Sequence, residues 1–399
     1  IINKHLMKKS FPWLVLVVGI FFSTLLWSSI TIPYDQSNTI VGQYSISKIN
    51  PLNDTLRGLF FIFFPLTLYL IVFLNINRNL VTNQIFKNDY LSSSKNLNYL
   101  SVLLISFSVL EFYSLNYKNF LGIIDVHHEG TFLTAQLNFL LKDKVWTGTF
   151  FDYGFLGNTI GICPNYIFDN YTIGIQRFFF KFLILLNKIF LILICKEITN
   201  CIDLKKKKEI FFLIFSLSAL TLASFYEDVT PFHSRTFIYL IFALLTFKLI
   251  KSKNNIILSL ALSSFSLLSL LFYWDIGSYI NVLLVFLLIY LLFTRRYKEF
   301  YTLFSGIIIC WLIFYILTPL DEFKQFFNQY LIIINISDYL IGIEFPKPFS
   351  DKSTRHTKAL LLIIFSGVLV INFIFDKTKD ESINSKFMLL FLFISSIIF

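Results

Sequence analysis

Apolar runs of about twenty residues recur along the whole chain, and a helix of that length matches the ~30 Å hydrocarbon core of a bilayer. Inside lipid every backbone amide must find a partner within the protein, which leaves only helices or closed barrels. A barrel would show short alternating strands, whereas these runs are continuous. The expected fold is therefore all-α and polytopic. Spans are predicted at about 11–32, 58–74, 99–115, 178–195, 210–226, 236–250, 256–273, 278–294, 300–318, 359–375 and from 387 onward. That makes about eleven transmembrane helices, the last truncated, in a single transmembrane domain over 1–399. The composition agrees: 15% of residues are charged, where a soluble domain carries about 25%.

The first run follows Lys4, Lys8 and Lys9. It is too long for a signal-peptide core and lacks a small-residue cleavage site, so it reads as an uncleaved anchor. Met7 resembles a natural start and Phe399 falls inside an apolar run, so the expectation is a fragment lacking its C-terminus. Four cysteines (Cys163, Cys195, Cys201, Cys310) show no metal-ligand or redox spacing, which argues against a disulfide framework.

Short cytoplasmic loops of membrane proteins collect Lys and Arg. With the N-terminus inside, the inner segments hold the basic groups at 4–9, 78–95, 196–208, 248–253, 295–298 and 377–386, twenty of the 34 Lys and Arg. The acidic residues go the other way. Asp35, Asp54, Glu111, Asp125, Glu129, Asp152, Glu227, Asp228, Asp275 and Glu344 all fall outside or near the outer end of a span, with four of the five histidines. In a bacterium that face is periplasmic. The net charge of +10 follows from the inner loops, so nucleic acid is not a partner.

The main non-spanning region is the long outer segment 116–177. It opens with Asp125-Val-His-His-Glu129, two of the five histidines between two carboxylates, followed by Gly130. On a helix Asp125, His128 and Glu129 share one face at i, i+3 and i+4, with His127 turned aside. Such a set could act as a general base or hold a divalent cation through Asp125, His128 and Glu129. The plain alternative is a solvated polar loop. Residues 131–144 (TFLTAQLNFLLKDK) carry apolar positions 133, 137, 140 and 141 beside polar ones, the pattern of a helix lying in the membrane interface. Trp146, Phe150, Phe151, Tyr153 and Phe155 follow and are expected to form an aromatic belt at headgroup depth.

Three further groups gather polar chemistry. Glu227, Asp228, His233 and Arg235 lie in a short outer turn shaped by Pro231; simple solvation would explain them, but an arginine at the mouth of a span also suits a phosphate. Asp275, in YWDIGSY between two spans, reads first as a helix cap and second as a site residue. Arg177, Lys181 and Lys188 fall within about 40° of one another on a helix. Arg177 and Lys181 are expected to snorkel to outer headgroups. Lys188 lies near mid-span, where a charge costs at least ~2.5 kcal/mol and usually faces a cavity, with Glu111 as a possible counter-ion. Such a stripe suits a lipid phosphate or pyrophosphate. No Gly-rich phosphate loop, nucleophile elbow or HExxH motif is present.

The stretch DVHHEGTFLTAQLNFLLKDKVWTGTFFDYGFLGN (125–158), with its His-Glu-Gly core and downstream Asp152 before Gly154, resembles a segment of uncharacterised bacterial members of the GT-C superfamily of membrane glycosyltransferases. YWDIGSY (273–279) resembles a second short motif of the same group. The resemblance implies transfer of a sugar from a polyprenyl-phosphate donor to a glycan, lipid or protein acceptor on the outer face of the inner membrane, with an outer-loop carboxylate as base. Many members carry the key acid in the first outer loop, where this chain offers only Asp35 and Asp54. Asp125 or Glu129 would then be the base, with His127 or His128 tuning it or helping to hold a metal ion. Arg177, Lys181, Lys188 and Arg235 would meet the leaving phosphate, and His233, Glu227, Asp228, Asp152 and Asp275 would line the substrate. An O-antigen polymerase or ligase, relying on Arg and His, is the nearest rival. A transporter would need spans broken by Gly or Pro at mid-membrane, and most spans here are unbroken.

Overall fold

The structure, a computed structural model, describes residues 2–35, 42–76, 95–113, 128–142, 144–159, 173–201, 208–224, 236–252, 255–342, 344–375 and 383–398. Among these there are helices and no strands. Seven are long and apolar enough to cross a membrane, the build of an integral membrane protein. Each span expected from the sequence coincides with a helix. Four of those helices are short, however, with 15 to 17 residues, about 23–26 Å at 1.5 Å per residue and so at the lower limit for spanning.

Chain contacts divide the protein into two compact units: Ile1–Asn83, Leu331–Glu381 and Leu389–Phe399 form one, and Gln84–Tyr330 with Ser382–Met388 the other. In the first, α1 (Ile2–Leu26) packs on α3 (Leu52–Ile76), with the short α2 (Gln43–Ser47) between them in sequence. A later helix, Thr354–Phe375, also packs on α3. Lipid is as apolar as leucine, so close van der Waals contact holds such helices together. Gly19 provides it, since a Cβ there would stand 2.9 Å from the Pro65 Cα. Trp27, Phe61, Leu66, Tyr69 and Ile364 fill the core.

The second unit begins with α4 (Lys95–Tyr113), α5 (His128–Lys142) and the one-turn α6 (Phe155–Thr159). The long α7 (Ile173–Cys201) then packs on α4, on α8 (Lys208–Ser224) and on α9 (Phe237–Lys251). Next come α10 (Ile256–Phe272), α11 (Trp274–Phe293) and α12 (Tyr297–Leu317). Helix α10 starts at Asn255, whose side chain accepts from the Leu258 amide at 3.0 Å, a side-chain N-cap. Its partner α12 approaches so closely at Gly306 that an added Cβ would overlap the Ser263 hydroxyl. Ser266 donates to Asn281 at 2.6 Å and accepts from Trp311 at 3.0 Å, pairing polar groups that lipid would leave unsatisfied.

The basic segments predicted to be inner meet at one end of this unit. Lys251 at the end of α9 pairs with Glu197 near the end of α7. Arg296 donates to Leu249 O at 3.0 Å, to Ser252 O at 2.6 Å and to Glu299 at 2.6 Å. These bonds satisfy carbonyls that the last turn of α9 leaves open. The candidate site is at the opposite end, where α11 begins.

Two expectations need correction. No helix was assigned to residues 319–358, between two expected spans, yet Leu320–Ile341 is a helix, α13. Its signal was present: Phe323, Phe326, Phe327 and Tyr330 recur at helical spacing. The aromatic belt is also different. Phe150 is half exposed, but Trp146 and Phe151 are buried, and Trp146 packs edge-on against Phe314 and Phe326, a favoured arrangement of aromatic rings. The last helices are α14 (Thr354–Phe375) and α15 (Ile383–Ile398).

Candidate functional site

Helix α5 begins at His128, and its first turn carries Glu129. Glu129 and Arg177 of α7 are both about 95% buried. Arg177 Nε donates to one carboxylate oxygen at 2.5 Å and Nη2 to the other at 2.7 Å. This is a two-pronged charge-assisted contact, the strongest pairing open to an arginine. Arg177 was expected to snorkel to headgroups; instead Glu129 holds it inside, because a buried carboxylate cannot be left without a partner. Phe132, one turn further along α5, stacks on Tyr153 at 5.1 Å and meets Phe180 edge-on at 5.6 Å. Gln136 donates to Asn158 O at 3.1 Å. Glu129, Phe132 and Gln136 are spaced i, i+3, i+7, so one face of α5 supplies all three.

The loop 144–159 below this face is held almost atom by atom. Asn158 Oδ1 accepts from the Tyr153 and Gly154 amides at 3.1 and 3.2 Å, and its Nδ2 donates to Asp152 at 2.7 Å. From α13, Glu322 accepts from the Trp146 amide at 2.5 Å and from the Thr147 hydroxyl. Gln329 donates to Trp146 O and Thr149 O, both at 2.7 Å, and accepts from the Phe151 amide at 3.1 Å. Neither Glu322 nor Gln329 was a sequence candidate, because the helix that carries them was not expected.

The YWDIGSY stretch closes on the same loop. The Trp274 amide donates to Tyr153 O at 2.7 Å, and its indole Nε1 donates to Phe151 O at 2.8 Å. Gly154, at φ +139°, lies so near that a Cβ would stand 2.7 Å from Phe272 O. Only glycine combines that backbone conformation with that approach. The two motifs that carry the family resemblance are thus bonded to each other. Asp275 is exposed in the first turn of α11, where a carboxylate complements the helix dipole.

A second cluster lies lower on α7. Lys188 Nζ stands 3.1 Å from Glu111 Oε2 of α4, the counter-ion the sequence pointed to. Lys181 lines the same cleft, with Ser108, Phe112, Ile184 and Leu185. Arg177 is eleven residues from Lys188, about 16 Å along the helix axis. The three cations therefore form two sites rather than one stripe around a single phosphate.

The first unit holds a third cluster. Asp54 is buried and accepts from Tyr44 OH at 2.6 Å and from the Phe345 amide at 2.9 Å, both through Oδ2. Arg57 donates to Ile30 O at 3.0 Å and to Glu344 at 3.0 Å. Asp54 Oδ1 is 3.7 Å from Arg57 and buried without a hydrogen-bond donor among the described residues. The first-loop acid is therefore part of a cluster, which its sequence neighbours did not reveal.

Asp125, His127, Glu227, Asp228, His233 and Arg235 lie outside the described residues, and only the backbone of His128 is described. Among the described residues no three His, Cys, Asp or Glu side chains group as metal ligands. Of the metal candidates, Glu129 has both oxygens on Arg177. Comparison with protein-family models, with curated proteins and with solved structures finds no match for this chain.

Proposed function

We propose that this chain is a membrane glycosyltransferase of about eleven spans. It would move a sugar from a polyprenyl-phosphate donor to an acceptor hydroxyl on the periplasmic face of a bacterial inner membrane. The observation that carries the reading is the direct bonding of the two GT-C-like stretches through Trp274, Phe151 and Tyr153, beside the buried Glu129–Arg177 pair.

In such a transfer the acceptor oxygen attacks the anomeric carbon and its proton passes to a carboxylate. The bond from that carbon to the phosphate oxygen breaks, and its electrons leave with the lipid phosphate. Stabilising that charge is the main electrostatic task. A carboxylate gripped at both oxygens is a poor proton acceptor, so Glu129 acts by fixing Arg177 as an electrostatic element of the site. The base is then Asp125, four residues earlier in the chain. A second reading puts the base at Asp54, whose Oδ1 has no donor among the described residues.

The experiment replaces Asp125 with Asn, Asp54 with Asn and Glu129 with Gln, singly, and follows the surface glycan. Loss in Asp125→Asn and Glu129→Gln supports the reading. Full retention in both, with loss in Asp54→Asn, moves the base to Asp54. Retention in all three, with loss only when Arg177 or His127 is replaced, favours the polymerase or ligase class instead.

A further inference from the structure

The cleft between α4 and α7 carries an inference of its own about ligand chemistry. It is half open to the outside, and its roughly 340 Å³ includes the open space at its mouth. Two of its walls are apolar helices long enough to span a membrane, and Phe112, Ile184 and Leu185 line it beside Ser108, Glu111, Lys181 and Lys188. Lys188 has a side chain only 9% exposed, while its partner Glu111 is 55% exposed. The pair is therefore asymmetric: the cation is fixed inside and the anion is at the mouth. Lys181 makes no ion pair among the described residues. Among the described lining residues, two cations stand against one carboxylate.

A lysine held in a membrane helix is costly unless a partner compensates it. Glu111 supplies that compensation when the cleft is empty. A phosphate group entering from the side would do so better, since it can accept from Lys188 and Lys181 together with charge-assisted bonds. We propose that this cleft binds a phosphate group and that Glu111 is the internal counter-ion the phosphate displaces from Lys188. The carrier would be a lipid headgroup whose chains lie along Phe112, Ile184 and Leu185. The apolar lining beside the cations favours that source over free phosphate. Under the glycosyltransferase reading, on which the identity of the natural ligand rests, the bound group is the phosphate end of the polyprenyl carrier, held about 16 Å along α7 from the Arg177 site where transfer takes place. Glu111 then sets how readily the donor enters and how readily the spent lipid leaves. The competing explanation is that Glu111–Lys188 merely holds α4 to α7.

The test uses the full chain in phosphatidylcholine nanodiscs, with dioleoyl phosphatidic acid as the probe and native mass spectrometry as the readout. Saturable binding of phosphatidic acid over phosphatidylcholine is expected, about tenfold weaker in Lys188→Gln, the effect of one charge-assisted bond. Glu111→Gln should tighten binding several-fold, because it removes the competitor. Inorganic phosphate is the second arm. If it leaves phosphatidic acid bound, the lipid is the source; if it competes fully, the site is one for free phosphate.

A doubly apolar variant, Glu111→Leu with Lys188→Leu, keeps the helix contact and checks the alternative. If it binds phosphatidic acid like the native chain, the pair is packing only and the proposal is overturned. Weaker binding in Glu111→Gln overturns the displacement role. No sugar takes part in this assay, so its failure leaves the glycan result standing, and a failed glycan test leaves phosphate binding standing.

Discussion

Replacing Arg177 with Met would leave the Glu129 carboxylate buried with both its guanidinium bonds gone. Methionine keeps much of the arginine stem's volume, so the loss is mainly electrostatic. Breaking a buried ion pair by removing one partner costs about 3–5 kcal/mol, because the remaining charge keeps its desolvation penalty and loses its compensation. Glu129→Met should cost a similar amount by taking the carboxylate away from the buried guanidinium. The double variant removes both charges, and it should cost no more than either single change, since apolar replacement of a whole buried pair is often close to neutral. The assay is a double-mutant cycle by denaturant unfolding in one fixed detergent. A coupling energy of about 3 kcal/mol or more is expected, against about 0.5 kcal/mol for independent sites. Single changes costing less than about 1 kcal/mol, or additive costs, would refute the claim that the pair is dry and mutually dependent.

Two other expectations follow from the loop beneath this pair. Gly157→Ala places a methyl group into the Phe272 carbonyl oxygen, and should cost about 1–3 kcal/mol as backbone moves to relieve it. The loss is read as a lower thermal midpoint that Gly58→Ala, in open space, does not share. Gln329→Leu leaves Trp146 O, Thr149 O and the Phe151 amide without their partner, at about 1–3 kcal/mol for each group that water cannot reach. Limited proteolysis should then cut within 144–155, where the native chain resists; an unchanged digestion pattern would remove Gln329 from its clamping role.

The helical class, a helix at the position of each expected span and the Glu111–Lys188 pair were legible because each rests on local pattern. Continuous apolar runs report spans, and a mid-span lysine demands an anion at similar depth. Glu129–Arg177 was harder. Both residues were candidates, but 48 positions separate them and nothing local says that they touch. Arg177 was read as a headgroup anchor because its own neighbours are apolar. The aromatics at 146–155 were misread for the same reason. Their fate depends on α13, one face of which brings Glu322, Phe326 and Gln329 together against Trp146.

The Asp-Val-His-His-Glu stretch shows where the boundary falls. Its composition alone marked it as the densest titratable cluster in an apolar chain, and hydropathy alone set it between two spans. Only the tertiary structure decided that Glu129 faces inward onto Arg177, that Asp152 secures a loop through Asn158, and that Lys188 serves a different cleft from Arg177. The physical reason is the range of the forces involved. Transfer of apolar groups into lipid is read residue by residue, so sequence reports it directly. The pairing of buried charges depends on which helices pack side by side, and that is set by close contacts such as Gly306 on Ser263 and Gly154 on Phe272, between residues far apart in the chain.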